Sequence, residues 1–101
     1  MSLKKTYSEK KPSCRVTFKV SKADAGYASR VNLAGDFNDW DRESIPMKML
    51  KNGDFSVSLD LEKGKEYEFR YLIDGSTWIN DNEADTYVLN EFHSENSVVA
   101  V

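Results

Sequence analysis

Few residues of this sequence are of the types that carry out catalysis. The 101 residues include a single histidine, His93, and a single cysteine, Cys14. Catalytic sites generally need a nucleophile beside a base, a metal cluster or two placed carboxylates. Cys14 lies on the inward phase of an alternating segment, where a thiol behaves as a small apolar side chain. His93 lies between Phe92 and Ser94 in a predicted loop, and we expect it to be structural or solvated.

The sequence also gives little indication of a metal site or of a catalytic pair of carboxylates. No spacing of His and Cys matches a zinc site. The acidic run Asp81, Glu83 and Asp85 lacks the glycine and terminal glutamate of a calcium-binding EF-hand loop, so we interpret it as a solvated acidic loop. Spacing alone does not place two carboxylates across a glycosidic bond, and a chain this short has little room for an enclosing cleft. We therefore expect no enzyme, no metal and no cofactor.

The two tryptophans stand where core residues are not expected. Trp40 ends a polar segment rich in Asp and Asn, and Trp78 follows a turn. Exposed tryptophan is costly for solubility and usually has a partner. A flat indole suits the apolar face of a pyranose ring, and Asn, Asp or Arg side chains can bond the hydroxyls around it. Either tryptophan taken alone could equally well cap the edge of the core.

The length of the loop at Asp74–Gly75 decides which way Trp78 points. A two-residue loop pairs Trp78 with Tyr71 and turns it into the core. A three-residue loop, with Gly75 in the left-handed region, pairs it with Arg70 on the surface. The adjoining strand already supplies three inward aromatic side chains, so another indole would crowd the core. We therefore predict the three-residue loop and an outward Trp78.

Strands must position these residues, because no window of helical length shows apolar residues at helical spacing. Residues from Cys14 to Val20 and from Glu66 to Ile73 alternate between apolar and polar. Asn52–Gly53 predicts a hairpin with a type I′ turn. Short strands spaced by turns indicate an all-β, antiparallel sandwich. The other predicted strands cover residues 30–34, 47–51, 54–60, 78–79, 87–89 and 96–101.

Size and composition indicate one domain preceded by a flexible polar leader over residues 1–13. The apolar fraction is 40% and the charged fraction 31%, as in an ordinary globular domain. A net charge of −3 gives nucleic-acid binding little electrostatic help, and we interpret the basic cluster around the leader as solvated. No apolar stretch is long enough to cross a membrane. A lone cysteine fits a reducing compartment, so we expect the cytoplasm.

Two segments carry a resemblance to a known family. Residues 31–40 (VNLAGDFNDW) and residues 67–75 (YEFRYLIDG), followed by Trp78, resemble the glycogen-binding domain of the β subunit of AMP-activated protein kinase. That domain belongs with the isoamylase-type N-terminal domains, the family 48 carbohydrate-binding modules, which also occur attached to glycoside hydrolases of family 13. The resemblance covers residues 14–101. It implies an immunoglobulin-like β-sandwich that binds α-1,4-linked glucan on one face without catalysing a reaction.

The resemblance also implies which residues contact the glucan. Trp40 and Trp78 match two tryptophans that stack on sugars, and Asn96 matches an asparagine that hydrogen-bonds the glucan. Arg70 stands where the kinase domain has a lysine that reaches sugar hydroxyls. The substitution keeps the positive charge and replaces the ammonium with a planar guanidinium. Phe92 stands near a leucine that projects into the sugar helix. The turn before Trp78 is one residue longer here than in the kinase domain.

The leading expectation is a stand-alone module that binds glycogen, starch or maltooligosaccharide. The alternative is an interaction module that docks onto a glucan-metabolising enzyme or a kinase-like partner, with glucan binding secondary. Catalysis on glucan is the third reading, and no residue in the sequence supplies it. The sequence indicates no oligomeric state.

Overall fold

Nine strands form two antiparallel sheets that pack face to face as an immunoglobulin-like β-sandwich. The computed structural model describes residues 1–101. It contains one 3-10 turn, Asp36–Asn38, and no helix long and apolar enough to span a membrane. The strands are β1 (Ser2–Tyr7), β2 (Ser13–Val20), β3 (Val31–Gly35), β4 (Lys48–Met49), β5 (Phe55–Glu62), β6 (Glu66–Ile73), β7 (Thr77–Ile79), β8 (Thr86–Leu89) and β9 (Glu95–Ala100).

The first sheet has the strand order β1–β2–β5–β4, and the second has the order β3–β6–β9–β8 with β7 paired to β6. The core between them holds the inward residues of both sheets, because alternate side chains of a strand point to opposite faces. Phe18 of β2 and Phe69 of β6 meet edge to face with ring centroids 5.1 Å apart. Cys14 is fully buried, as its position in the alternating pattern predicts.

The first residues of the chain are a strand, so the predicted flexible leader over residues 1–13 is wrong for residues 2–7. β1 pairs with β2 along its whole length, from Ser2 opposite Lys19 to Tyr7 opposite Cys14. Two further contacts, which no local sequence pattern indicates, also hold β1 in place. Leu3 packs against the core. Lys5 Nζ also bonds Asp85 Oδ2 at 2.7 Å, a residue 80 positions away in sequence.

The hairpin at Asn52–Gly53 forms, but not through the predicted type I′ turn. The backbone N–H of Gly53 bonds the Leu50 carbonyl at 2.9 Å, and the N–H of Leu50 bonds the Asp54 carbonyl at 2.7 Å. Of the two expected positive-φ residues, only Gly53 has one, at 91°. The loop therefore has three residues, with glycine in the left-handed position that follows a tight turn. Asn52 instead bonds Asp54 with both its amide atoms, each at 3.0 Å.

Two strands pair one after the other with the same edge of β6. β3 pairs with β6 from Phe69 to Ile73 on one side. On the opposite side, β9 pairs with the first half of β6, residues 66–69, and β7 pairs with residues 71–73. Arg70 lies at the junction between β9 and β7 and has no partner in the ladder of either strand with β6.

The loop before β7 has three residues, as predicted, and it turns Trp78 away from the core. Ile73 pairs with Thr77, and the residues between them include Gly75 with a φ of 71°. The partner of Trp78 is Leu72 and not Arg70. Ile73 and Thr77 form the pair that closes the loop, and Leu72 and Trp78 form the next pair along the two strands. Residues two apart share a face, so Arg70 and Trp78 still lie on the same face of the sheet.

The acidic run departs at Asp81 from the solvated loop that its composition predicts, whereas Glu83 and Asp85 are exposed. Asp81 is fully buried, and its Oδ2 accepts a hydrogen bond of 2.7 Å from the Tyr71 hydroxyl. Its Oδ1 accepts from the Glu83 N–H at 2.8 Å. Asp85 is exposed, but it bonds Lys5 and the backbone N–H of Ala100. Buried carboxylates occur only where hydrogen bonds replace water, and here one partner, Tyr71, comes from β6 while the other, the Glu83 N–H, lies in the same loop.

Candidate functional site

Trp40 is presented by an unusual stretch of backbone that follows β3. The 3-10 turn Asp36–Asn38 ends at Asp39, and both Asp39 and Trp40 have left-handed backbone, with φ values of 55° and 59°. Positive φ is uncommon for residues other than glycine and marks an outlier for a bulky one. The Trp40 N–H closes the turn by bonding the Gly35 carbonyl at 2.9 Å. Such backbone concentrates at functional sites, where surrounding contacts maintain it.

The two tryptophans meet on the surface although they are 38 positions apart in the sequence. The ring centroids of Trp40 and Trp78 lie 6.3 Å apart, and their planes are inclined at 65°. Both side chains are half-buried. The indoles thus form a corner of two apolar faces, which we call the tryptophan pair.

Arg70 reaches across the junction between β9 and β7. Its Nε donates to the Glu95 carbonyl at 3.0 Å, and its Nη2 donates to that carbonyl and to Ser94 Oγ. The same Glu95 carbonyl accepts from Asn80 Nδ2 at 2.8 Å. Nη1 makes no bond within the protein, so the guanidinium is held along one edge and keeps the donors of Nη1 for a ligand.

Asn96 is already engaged on two sides. Its Nδ2 donates to Glu68 Oε1 and its Oδ1 accepts from Asn90 Nδ2, each over 3.1 Å. Asn96 is 9% exposed, which leaves a small polar contact area in the wall of the site. An amide carries two donors and two acceptor lone pairs, so one N–H and one lone pair stay available.

Phe92 is the most exposed large apolar side chain of the protein, at 78%. It lies in the loop of residues 90–94 between β8 and β9, which we call the rim loop. Asn90 Oδ1 accepts the backbone N–H of Phe92 at 2.9 Å and that of Ser94 at 3.2 Å. The neighbouring His93 has a φ of 61° and bonds the Asn90 carbonyl through its N–H. The rim loop therefore holds an apolar ring in solvent on an ordered backbone.

One cavity of about 530 Å³ brings all five predicted site residues together. It lies between the tryptophan pair and the rim loop. The predicted residues that line it are Trp40, Arg70, Trp78, Asn96 and Phe92. Their grouping depends on the fold, because the residues come from the turn after β3, from β6, β7 and β9, and from the rim loop.

The sequence did not single out four other residues that line the cavity: Arg42, Asn90, Glu91 and Ser94. The Arg42 guanidinium carbon lies 5.7 Å from the centroid of the Trp78 ring, a cation–π distance. Polar residues in polar loops look alike in a sequence. The nearness of Arg42 to Trp40 and of Asn90 to Phe92 was the only sign of their involvement.

The charges in the cavity are few and are not paired with each other. The protein has three ion pairs, and neither Arg42 nor Arg70 takes part in any of them. The only acidic residue of the cavity lining is Glu91. No three His, Cys, Asp or Glu side chains come together in a way that could hold a metal ion. The arrangement offers apolar ring faces with hydrogen-bond donors and acceptors beside them.

Comparison with known families places this arrangement in context. Residues 24–101 match the family model described as the glycogen recognition site of AMP-activated protein kinase. The chain belongs to this family. Its members are non-catalytic carbohydrate-binding modules. Membership supports the binding of carbohydrate, in general of the glycogen type. The match begins after β2, so β1 and β2 precede the matched residues. A comparison with curated proteins finds no match.

Proposed function

We propose that this protein binds α-1,4-linked glucan, such as glycogen, starch or a maltooligosaccharide, without catalysing its turnover. One observation carries the proposal: the cavity shared by the tryptophan pair, Arg70, Asn96 and Phe92. Family membership supports carbohydrate recognition in general. The aromatic and polar groups of the cavity support the narrower choice of ligand.

The shape of the tryptophan pair favours a curved sugar chain. Each indole offers an apolar face to the C–H face of a pyranose ring. Because the two indoles are inclined at 65°, two sugars stacked on them must be turned relative to each other. An α-1,4-linked chain turns in this manner from one glucose to the next, whereas a β-1,4-linked chain is a straight ribbon.

Polar side chains beside the indoles would select the position of the hydroxyl groups. Arg70 offers the donors of Nη1, and Asn96 offers one N–H and one lone pair. The Arg42 side chain makes no hydrogen bond within the protein and lies at a cation–π distance from the ring of Trp78. Arg70 and Asn96 are already held by hydrogen bonds to neighbouring residues, so binding a sugar would cost little additional ordering of these two side chains.

Binding to a single oligosaccharide should be weak, with a Kd on the order of 1 µM to 1 mM, because one cavity contacts only a few sugar units. A glycogen particle presents many chain ends. Contact with several of them would raise the effective strength wherever more than one protein copy is held together.

Titration with maltoheptaose, followed by tryptophan fluorescence, tests the proposal. We expect saturable binding by the wild type and none by Trp78→Ala. Tyr27→Ala is the matched control, because Tyr27 is 75% exposed and lies outside the cavity. Cellohexaose, a β-1,4-linked oligosaccharide one glucose shorter, should bind at least about 10-fold more weakly, a difference of about 1.4 kcal/mol.

Absence of binding by the folded wild type at about 10 mM maltoheptaose, well above the weakest Kd expected, would overturn the proposal. The alternative, a module that docks onto a glucan-metabolising enzyme, would then be favoured. Equal binding of maltoheptaose and cellohexaose would keep carbohydrate recognition and contradict the preference for a curved chain.

A further inference from the structure

Asp36 connects Trp40 to strand β6 through its two carboxylate oxygens. Oδ1 accepts a hydrogen bond of 3.1 Å from the Trp40 indole Nε1. Oδ2 accepts one of 2.8 Å from the backbone N–H of Glu68. We propose that Asp36 is a positioning residue, which fixes the angle of Trp40 against Trp78. Its effect on glucan affinity rests on the function proposed above, whereas its effect on the geometry does not.

Partial burial restrains the Trp40 side chain less than full packing in the core would. It is half-buried at the end of a polar loop, and its backbone is left-handed. The backbone bond to the Gly35 carbonyl sets the position of its Cα but leaves the indole free to rotate. A hydrogen bond to a carboxylate is stronger than one between neutral groups. The carboxylate of Asp36 is the only polar partner of the Trp40 indole within the protein.

The other end of the connection is firm because it lies on the central strand of the sheet. β3 ends at Gly35, opposite Phe69, so the N–H of Glu68 lies one residue beyond the last pair of the ladder. Asp36 supplies the acceptor that a longer β3 would have supplied. The approach is close, since a Cβ added to Gly35 would clash with the Glu68 carbonyl oxygen.

The same connection reaches the polar side of the cavity. Glu68 Oε1 accepts from Asn96 Nδ2, and Asn96 lines the cavity with Trp40. One carboxylate thus ties the stacking indole to the strand that also holds the amide in place. Loss of Asp36 should therefore change the relative positions of groups that a sugar chain would contact together.

The exchange rate of the Trp40 indole N–H, relative to that of Trp78, reports on this hydrogen bond. Among the two tryptophans, only the Trp40 indole N–H is hydrogen bonded within the protein. In wild-type protein we expect it to exchange with deuterium at least about 10-fold more slowly than that of Trp78. In Asp36→Ala the two rates should become similar, and maltoheptaose affinity should fall about 10-fold.

Asp60→Ala is the control, because Asp60 is exposed on β5 in the other sheet and its removal changes net charge equally. Slow exchange and unchanged affinity in Asp36→Ala would overturn the proposal. If that variant does not fold, Asp36→Asn serves instead, since it keeps one acceptor oxygen and should give partial effects. Equal exchange of both indoles in the wild type would overturn the proposal without any variant. A wild type with slow Trp40 exchange but no glucan binding would remove the proposed function and leave the geometric role intact.

Discussion

Asn90 donates a hydrogen bond from its side-chain Nδ2 to Oδ1 of Asn96, over 3.1 Å. The Oδ1 atom of the same Asn90 accepts the backbone N–H groups of Phe92 and Ser94. One side chain therefore holds both the rim loop and the amide in the cavity wall. The donor end of Asn90 serves Asn96 and the acceptor end serves the rim loop, so the two roles can be separated by substitution.

Asn90→Asp should lower glucan affinity while the rim loop keeps its form. The aspartate keeps an acceptor for Phe92 and Ser94 but replaces the donor to Asn96 with a negative oxygen. We expect maltoheptaose to bind about 3- to 10-fold more weakly, the equivalent of one lost hydrogen bond. Asn90→Ala should lose more affinity, because it also releases the rim loop.

Isothermal titration calorimetry measures both variants, with thermal unfolding to show that each is folded. Asn82→Asp is the matched control, because Asn82 is exposed and does not line the cavity. Wild-type affinity in Asn90→Asp would show that Asn96 needs no support from Asn90.

Arg70 should contribute to binding through the geometry of its guanidinium as well as through its charge. A lysine ammonium is a point donor and cannot span the Glu95 carbonyl and the Ser94 hydroxyl while facing the cavity. We expect Arg70→Ala to weaken maltoheptaose binding about 10-fold and Arg70→Lys to weaken it less. Arg15→Ala, on an exposed position of β2 in the other sheet, should bind as the wild type does. Unchanged affinity in Arg70→Ala would contradict a role for this residue in the site.

The parts of this fold that local alternation determines were predicted well. β6 spans the residues that its alternating pattern indicates, Glu66–Ile73. The outward face of Trp78 was also predicted, because the face depends only on whether the loop has two or three residues. The residue that pairs with Trp78 was not predicted correctly, because the register of the two strands is set by the pair that closes the loop.

The parts that depend on distant partners could not be predicted. β1 carries no alternating pattern, and its strand conformation depends on pairing with β2 and on the contact between Lys5 and Asp85. Asp81 looks like any residue of an acidic loop until Tyr71 is placed beside it. Arg42 was missed for the same reason, because only the fold brings it to the ring of Trp78.

Acid should release β1 before it unfolds the rest of the protein. Burial by itself would raise the pKa of Asp85, but hydrogen bonds from Lys5 and from the Ala100 N–H outweigh it and lower the pKa below 3.8. A carboxyl with a lowered pKa stabilises the fold above its unfolded pKa, and this contribution is lost as the pH falls through the folded pKa. We therefore expect the contact between Lys5 and Asp85 to weaken below about pH 4.

Hydrogen exchange measures this change as protection factors, which remove the intrinsic dependence of exchange on pH. Amides of β1 should lose protection between about pH 4 and pH 2 while those of β6 keep theirs. Asp85→Asn should show low β1 protection at every pH. Parallel loss of protection in β1 and β6 would mean that the contact does not hold β1 separately.

The buried pair of Tyr71 and Asp81 should be more important for stability than for binding. Burial, the charge of Asp81 and the hydrogen bond between them raise the pKa of Tyr71 well above 10.0, so the hydroxyl stays a donor at any ordinary pH. Tyr71→Phe leaves a fully buried carboxylate oxygen without that donor. We expect the free energy of unfolding to fall by about 1–3 kcal/mol.

Tyr87→Phe is the matched comparison, because the Tyr87 hydroxyl donates to the neutral backbone carbonyl of the same Asp81, at 2.6 Å. A neutral acceptor at a partly exposed site should cost only about 0.5–1.5 kcal/mol. Urea unfolding of both variants gives the two free energies directly. An equal loss in both would show that the buried charge adds nothing to the hydrogen bond. A loss in Tyr87→Phe that exceeds the loss in Tyr71→Phe would place the main support of Asp81 at its backbone carbonyl and not at its carboxylate.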